Sequence, residues 1–162
     1  MRPRTRDHVV AATHFVLGPS NFLVLCLPDN WDLRLGRTPM DVDYTVFVDG
    51  VRWAQAGQAS ALLVDPKARR AIEMTVRTSR GAIAPPKLLA PRPGTCKIGG
   101  HDAGCEIGSA KFGLFGTKPY SVLHIAYRCD ETERFVDLRF MHKGTEQMLE
   151  SLLSPLERAR CH

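Results

Sequence analysis

Along most of the 162-residue chain, apolar and polar positions change over in runs of strand length, each closed by a turn signal. Phe22 to Leu27 is a continuous apolar run ended by Pro28-Asp29-Asn30; this predicts a strand buried on both faces, with Trp31 folding back onto the core. Val42 to Val48 places Val42, Tyr44, Val46 and Val48 on one side, and Asp49-Gly50 before Val51 to Trp53 predicts a type I′ hairpin, which needs positive φ at both central residues. A strand ends at Leu63-Val64 before Asp65-Pro66, and another, Ala71 to Thr78, sets Ile72, Met74 and Val76 against a solvated face of Glu73, Thr75 and Arg77. Gly81 to Thr95 carries Pro85, Pro86, Pro91 and Pro93 and predicts a surface loop, because it can donate few backbone hydrogen bonds. A hairpin about Gly99-Gly100-His101-Asp102, a glycine-rich loop around Phe112 to Pro119, and two long strands follow. In those strands, Tyr120 to Arg128 and Arg134 to Met141, Leu123, Ile125 and Tyr127 share a buried face with Val136, Leu138 and Phe140. From Thr145 the period changes to that of a helix, with Met148, Leu149, Leu152, Leu153 and Leu156 as its apolar stripe and a break or kink at Ser154-Pro155.

Many antiparallel strands and one terminal amphipathic helix predict an α+β sandwich in which the helix crosses a mostly antiparallel sheet. The size, with 44% hydrophobic and 24% charged residues, suits one domain over 1–162 and excludes a disordered tail or a coiled coil. No apolar stretch reaches the 18 or so residues of a membrane-spanning helix, so a membrane partner is not expected. The basic start, Arg2 to Arg6, is followed by an apolar stretch flanked and broken by His8 and His14 with no small-residue cleavage site; a cytoplasmic protein is expected rather than a secreted one. Two Asn and three Gln, with sixteen Arg against six Lys, match a thermophile pattern in which cytoplasmic disulfides are tolerated.

That matters for the five cysteines. A hairpin turning between Gly100 and His101 sets Cys96 opposite Cys105, a geometry for a cross-strand disulfide. The length of the Arg134 to Met141 strand matches the return length of a helix over Thr145 to Cys161, which brings Cys161 beside Cys129 as a second pair. Cys26 is left over. Cys96, His101, Cys105, Cys129, Cys161 and His162 include zinc-ligand types, but the chain lacks the short Cys-x-x-Cys knuckle spacing, so no metal or other cofactor is expected. The glycines from Gly99 to Gly116 match no phosphate-binding fingerprint. His101, His124 and His142 are not set against a nucleophile, and Arg134, Asp137 and Arg139 read as a solvated, mutually paired face; no catalytic residue is expected.

Pro28-Asp29-Asn30-Trp31 resembles the Pro-x-Gly-Trp motif of the PsbP-like superfamily, which includes photosystem II subunits and the Ran-binding nuclear-import factor Mog; Asn30 takes the place of the glycine. Gly99-Gly100-His101-Asp102-Ala103 is similar to the Gly-x-x-Ala turn opening that family's second half, and the last strands with Leu149 to Leu156 are similar to its closing strand and helix. The resemblance implies a PsbP-like α/β sandwich and non-catalytic binding, an adaptor whose partner is a protein. Charge supplies the alternative. From Pro66 to Ile98 the basic residues Lys67, Arg69, Arg70, Arg77, Arg80, Lys87, Arg92 and Lys97 face one acid, Glu73, which suits an anionic partner such as nucleic acid. The segment lacks aromatic residues on which bases would stack.

Overall fold

The computed structural model describes residues 4–14, 18–35, 58–111 and 119–161. Its strands are β1 (Thr5–His14), β2 (Gly18–Pro28), β3 (Asp32–Leu35), β4 (Gln58–Asp65), β5 (Arg70–Ser79), β6 (Leu89–Ile98), β7 (His101–Ala110), β8 (Tyr120–Cys129) and β9 (Arg134–His142). Seven form one antiparallel sheet in the order β3-β4-β5-β9-β8-β7-β6, while β1 and β2 form a separate hairpin. The class is α+β, dominated by antiparallel sheet. The expected strand at Val42 to Val48, its Asp49-Gly50 turn and the loop at Phe112 to Lys118 lie outside the described residues.

One face of the large sheet carries the main core. Leu123, Ile125 and Tyr127 pair with Phe140, Leu138 and Val136, all on the buried side, as the alternation requires. β2 lies over this face and meets it with Leu23, Leu25 and Leu27, while Val24 and Cys26 between them are only half-buried. The continuous apolar run is thus a one-sided strand: β2 belongs to a two-stranded outer layer and has a single sheet beneath it. Trp31 is buried in the same core.

The C-terminal stripe covers the remainder of that face, but not as one helix. Two short helices form, α1 (Glu146–Glu150) and α2 (Leu153–Leu156), separated at Ser151-Leu152. Pro155 has no N–H to give the carbonyl of Ser151 and its ring crowds that carbonyl, so the helix breaks four residues ahead of the proline. Ser154 does not cap the second piece; Leu152 occupies that position. Leu149, Leu152, Leu156 and Ala159 are nevertheless buried against the sheet. The chain then becomes extended, and Arg160 exchanges two backbone hydrogen bonds with Val24 at 2.8 and 2.9 Å.

The second face is not left to solvent. Residues 81–88 form a strap across it: the Ala84 carbonyl accepts from Arg139 at 3.1 Å, and Leu88 packs on Ala110, Val122 and Met141. Glu73 is buried on this side, where a solvated face was expected. The proline-rich segment also continues into β6 rather than staying a loop to Thr95. Pro91 and Pro93 are tolerated because β6 is the sheet's edge among the described residues and pairs only with β7.

Candidate functional site

At one end of the sandwich, the corner leaving β2 meets the β4–β5 turn. Asp65, 2% exposed, is the hub. Its carboxylate accepts hydrogen bonds from the Ala68 amide at 3.1 Å, from Asn30 Nδ2 at 2.9 Å and from Arg70 Nη2 at 2.6 Å. Burial alone would push this carboxyl up, but the Arg70, Ala68 and Asn30 hydrogen bonds and the Arg70 charge hold it below its ordinary value. Arg70 also lies over the Trp31 ring, 5.5 Å from its centroid. Arg6 donates to the Trp31 carbonyl at 3.0 Å and pairs with Asp32. The corner is therefore held from three sides by charge-assisted bonds.

On this base lies a cleft of about 370 Å³ lined by Arg4, Pro28, Asp29, Asn30, Asp32, Pro66 and Lys67. Asp32 is neutralised by Arg6, whereas Arg4, Asp29 and Lys67 make no ion pair among the described residues. Two cations and one carboxylate thus remain to meet an occupant. Among the described residues the lining offers no cysteine, serine or histidine.

The eight basic residues of the 66–98 segment are not gathered into one cluster. Lys67, Arg69 and Arg70 share the β4–β5 turn, with Arg70 committed to Asp65. Arg77 sits on the strap side of β5, Arg80 is exposed just beyond its far end, about 30 Å along the strand from the turn, and Lys87 is exposed on the strap. Arg92 and Lys97 lie on β6, four strands or about 19 Å from β5. There they are paired, Arg92 with Glu146 and Glu150, and Lys97 with Asp102 at 2.6 Å.

The cysteines separate into two groups. Cys129 and Cys161 are joined by a disulfide spanning 32 residues, with Cα atoms 6.5 Å apart. Cys96, Cys105 and Cys26 are free thiols. The β6–β7 hairpin turns at Gly99-Gly100, both at positive φ, so Ile98 pairs with His101 and Cys96 faces Ala103, while Gly94 faces Cys105. That turn lies one residue earlier than the spacing argument placed it, which leaves Cys96 and Cys105 diagonal on one face instead of directly opposite. Burial, then the neighbouring Cys105 and the charge of Glu157, pushes the Cys96 thiol up to about 12, so it is protonated at neutral pH.

Beneath the strap, His124 Nε2 lies 2.7 Å from Asp137 Oδ2, and Arg139 Nε donates to Asp137 Oδ1 at 2.9 Å. Asp137 is 1% exposed, which corrects the expectation of a solvated Asp137 and Arg139. The Arg139 guanidinium and the strap hold the dyad in place, and it packs as a structural network. Sequence reasoning missed this network and the Asp65 hub. Asp65 had one local signal, an aspartate before Pro66 in position to accept from the backbone N–H three residues on.

Compared with known proteins, the chain matches no protein-family model and no characterised protein at a significant level.

Proposed function

We propose that this protein is a non-catalytic binding domain that receives an acidic segment of a partner protein in the cleft between the Pro28–Asp32 corner and the Pro66–Lys67 turn. The observation that carries this reading is the pair of uncommitted cations, Arg4 and Lys67, on a cleft whose floor is fixed by Asp65. A rigid wall reduces the ordering cost of association, and the excess of Arg4 and Lys67 over the single carboxylate of Asp29 leaves a net positive lining that favours an acidic partner. The Pro28 to Trp31 corner is also the segment that resembles the PsbP-like motif, and an adaptor role agrees with the non-catalytic binding of that superfamily. The dispersal of the other basic residues favours a protein partner over nucleic acid, which would call for a continuous positive track.

The test is an array of immobilised peptides of graded charge probed with the purified protein, with a single-stranded oligonucleotide as competitor. The reading expects retention on acidic peptides, weakened roughly fivefold to tenfold by Lys67→Glu, which corresponds to about 1 to 1.4 kcal/mol. Equal retention on basic peptides, or displacement by the oligonucleotide with a steep salt dependence, overturns it.

A further inference from the structure

Three side chains from distant parts of the chain converge at the opposite edge of the core face. His101 opens β7, Cys129 ends β8 and Cys161 closes the C-terminal extended segment. One ligand atom from each lies within 4.8 Å of the others, and His101 Nε2 is 3.4 Å from Cys161 Sγ. Both cysteines are buried, whereas His101 is half-buried and gives the cluster its opening to solvent. Tyr127 stacks on the His101 ring, with centroids 5.7 Å apart, and fixes its orientation. The Tyr127 hydroxyl is itself buried and has no hydrogen-bond partner among the described residues.

We infer that reduction of the Cys129–Cys161 disulfide turns this cluster into a Cys2His site for zinc. Tetrahedral zinc, with bonds of about 2.3 Å to sulfur and about 2.0 to 2.1 Å to nitrogen, sets its two sulfurs about 3.8 Å apart and each sulfur about 3.5 Å from the nitrogen. The histidine is already at that distance from Cys161. The sulfurs must separate, for which a Cα spacing of 6.5 Å leaves room, and Cys129 Sγ, already within 4.8 Å of the His101 ligand nitrogen, has to settle to about 3.5 Å. A dithiol reductant gives two electrons and two protons to the disulfide and becomes its own disulfide, leaving two thiols. Zinc then binds as two thiolates form and two protons leave. The fourth position is open to water, as in zinc sites with three protein ligands. Zinc would close the same loop as the disulfide, so the C-terminal segment stays tethered in either redox state.

The test is anaerobic titration of the reduced full-length protein with Zn2+ against a chromophoric chelator, and with Co2+ to read thiolate charge-transfer and tetrahedral d–d bands. The inference expects one metal per chain in the reduced protein, none in the oxidised protein, and a rise in melting temperature when zinc is added to the reduced form. His101→Gln, at a half-buried position the fold can tolerate, is expected to weaken binding roughly tenfold or more, the scale on which even outer-shell partners act. Cys96→Ser/Cys105→Ser is expected to bind normally. Absence of stoichiometric metal, binding unchanged by His101→Gln, or binding lost in Cys96→Ser/Cys105→Ser overturns the assignment.

Discussion

Opening the Cys129–Cys161 disulfide with a phosphine reductant, in the presence of a strong metal chelator, isolates what this cross-link contributes. Both sulfurs stay in place, so no cavity is made. The loop closed is 32 residues long. Chain entropy for that length corresponds to about 3.7 kcal/mol at 25 °C, a large part of the net stability of an ordinary domain. For a chain of this size, that is a fall in melting temperature of roughly 7 to 15 °C. Urea denaturation followed by tryptophan fluorescence is the assay. It should show a lower midpoint together with a steeper slope, because the uncrosslinked unfolded chain exposes more surface. Amide exchange should localise the change: the paired amides of Val24 and Arg160 lose protection first, since the tether holds the strand they share. A loss below about 1 kcal/mol, or an equal loss in Cys96→Ser/Cys105→Ser, would refute the reasoning.

Two further outcomes follow from the packing. Burial would push the Asp137 carboxyl up, but the His124 hydrogen bond and the Arg139 charge and hydrogen bond hold it below its ordinary value of 3.8. Its contribution is therefore present above the unfolded value and is lost as pH falls through the lower folded value. Asp137→Asn should cost about 3 kcal/mol at pH 7 and flatten the acid limb of the stability profile; an unchanged acid limb in a pH series of urea melts would count against the network. Gly99 and Gly100 both have positive φ, but a side chain on Gly99 would run into the Ala159 carbonyl, whereas the space beside Gly100 is open. Gly100→Ala should cost about 1 kcal/mol and Gly99→Ala roughly 3 kcal/mol or more, and equal thermal shifts in the two variants would contradict the docking of the C-terminal segment.

Much of the sheet could be read from residue alternation, because a strand with one buried face has only one workable register. Leu123, Ile125 and Tyr127 against Phe140, Leu138 and Val136 is the clearest case, and it also placed Cys129 at the strand end near the returning C-terminus. Local chemistry decided the rest. The Gly99-Gly100 turn was displaced by one residue, which changes each partner by two and preserves the face, so Cys96 and Cys105 remain neighbours without facing each other. Pro155 broke the terminal helix at Ser151 rather than at its own position. The strap's docking was illegible because proline content marks only a solvent-facing segment, and its seat on the sheet depends on Leu88 finding Val122 and Met141. The Asp65 hub depends on Asn30 and Arg70, which come from different segments, and no spacing in the sequence joins them.

The binding claim meets its most direct test in an NMR titration of the isotope-labelled protein with an acidic decapeptide of alternating Glu and Ser. The account predicts amide shifts confined to Arg4, Asp29 to Asp32 and Lys67 to Arg70, and absent in Arg4→Glu/Lys67→Glu. Shifts centred on Arg77, Arg80 and Lys87, or the same shifts persisting in the charge-reversed protein, would contradict it.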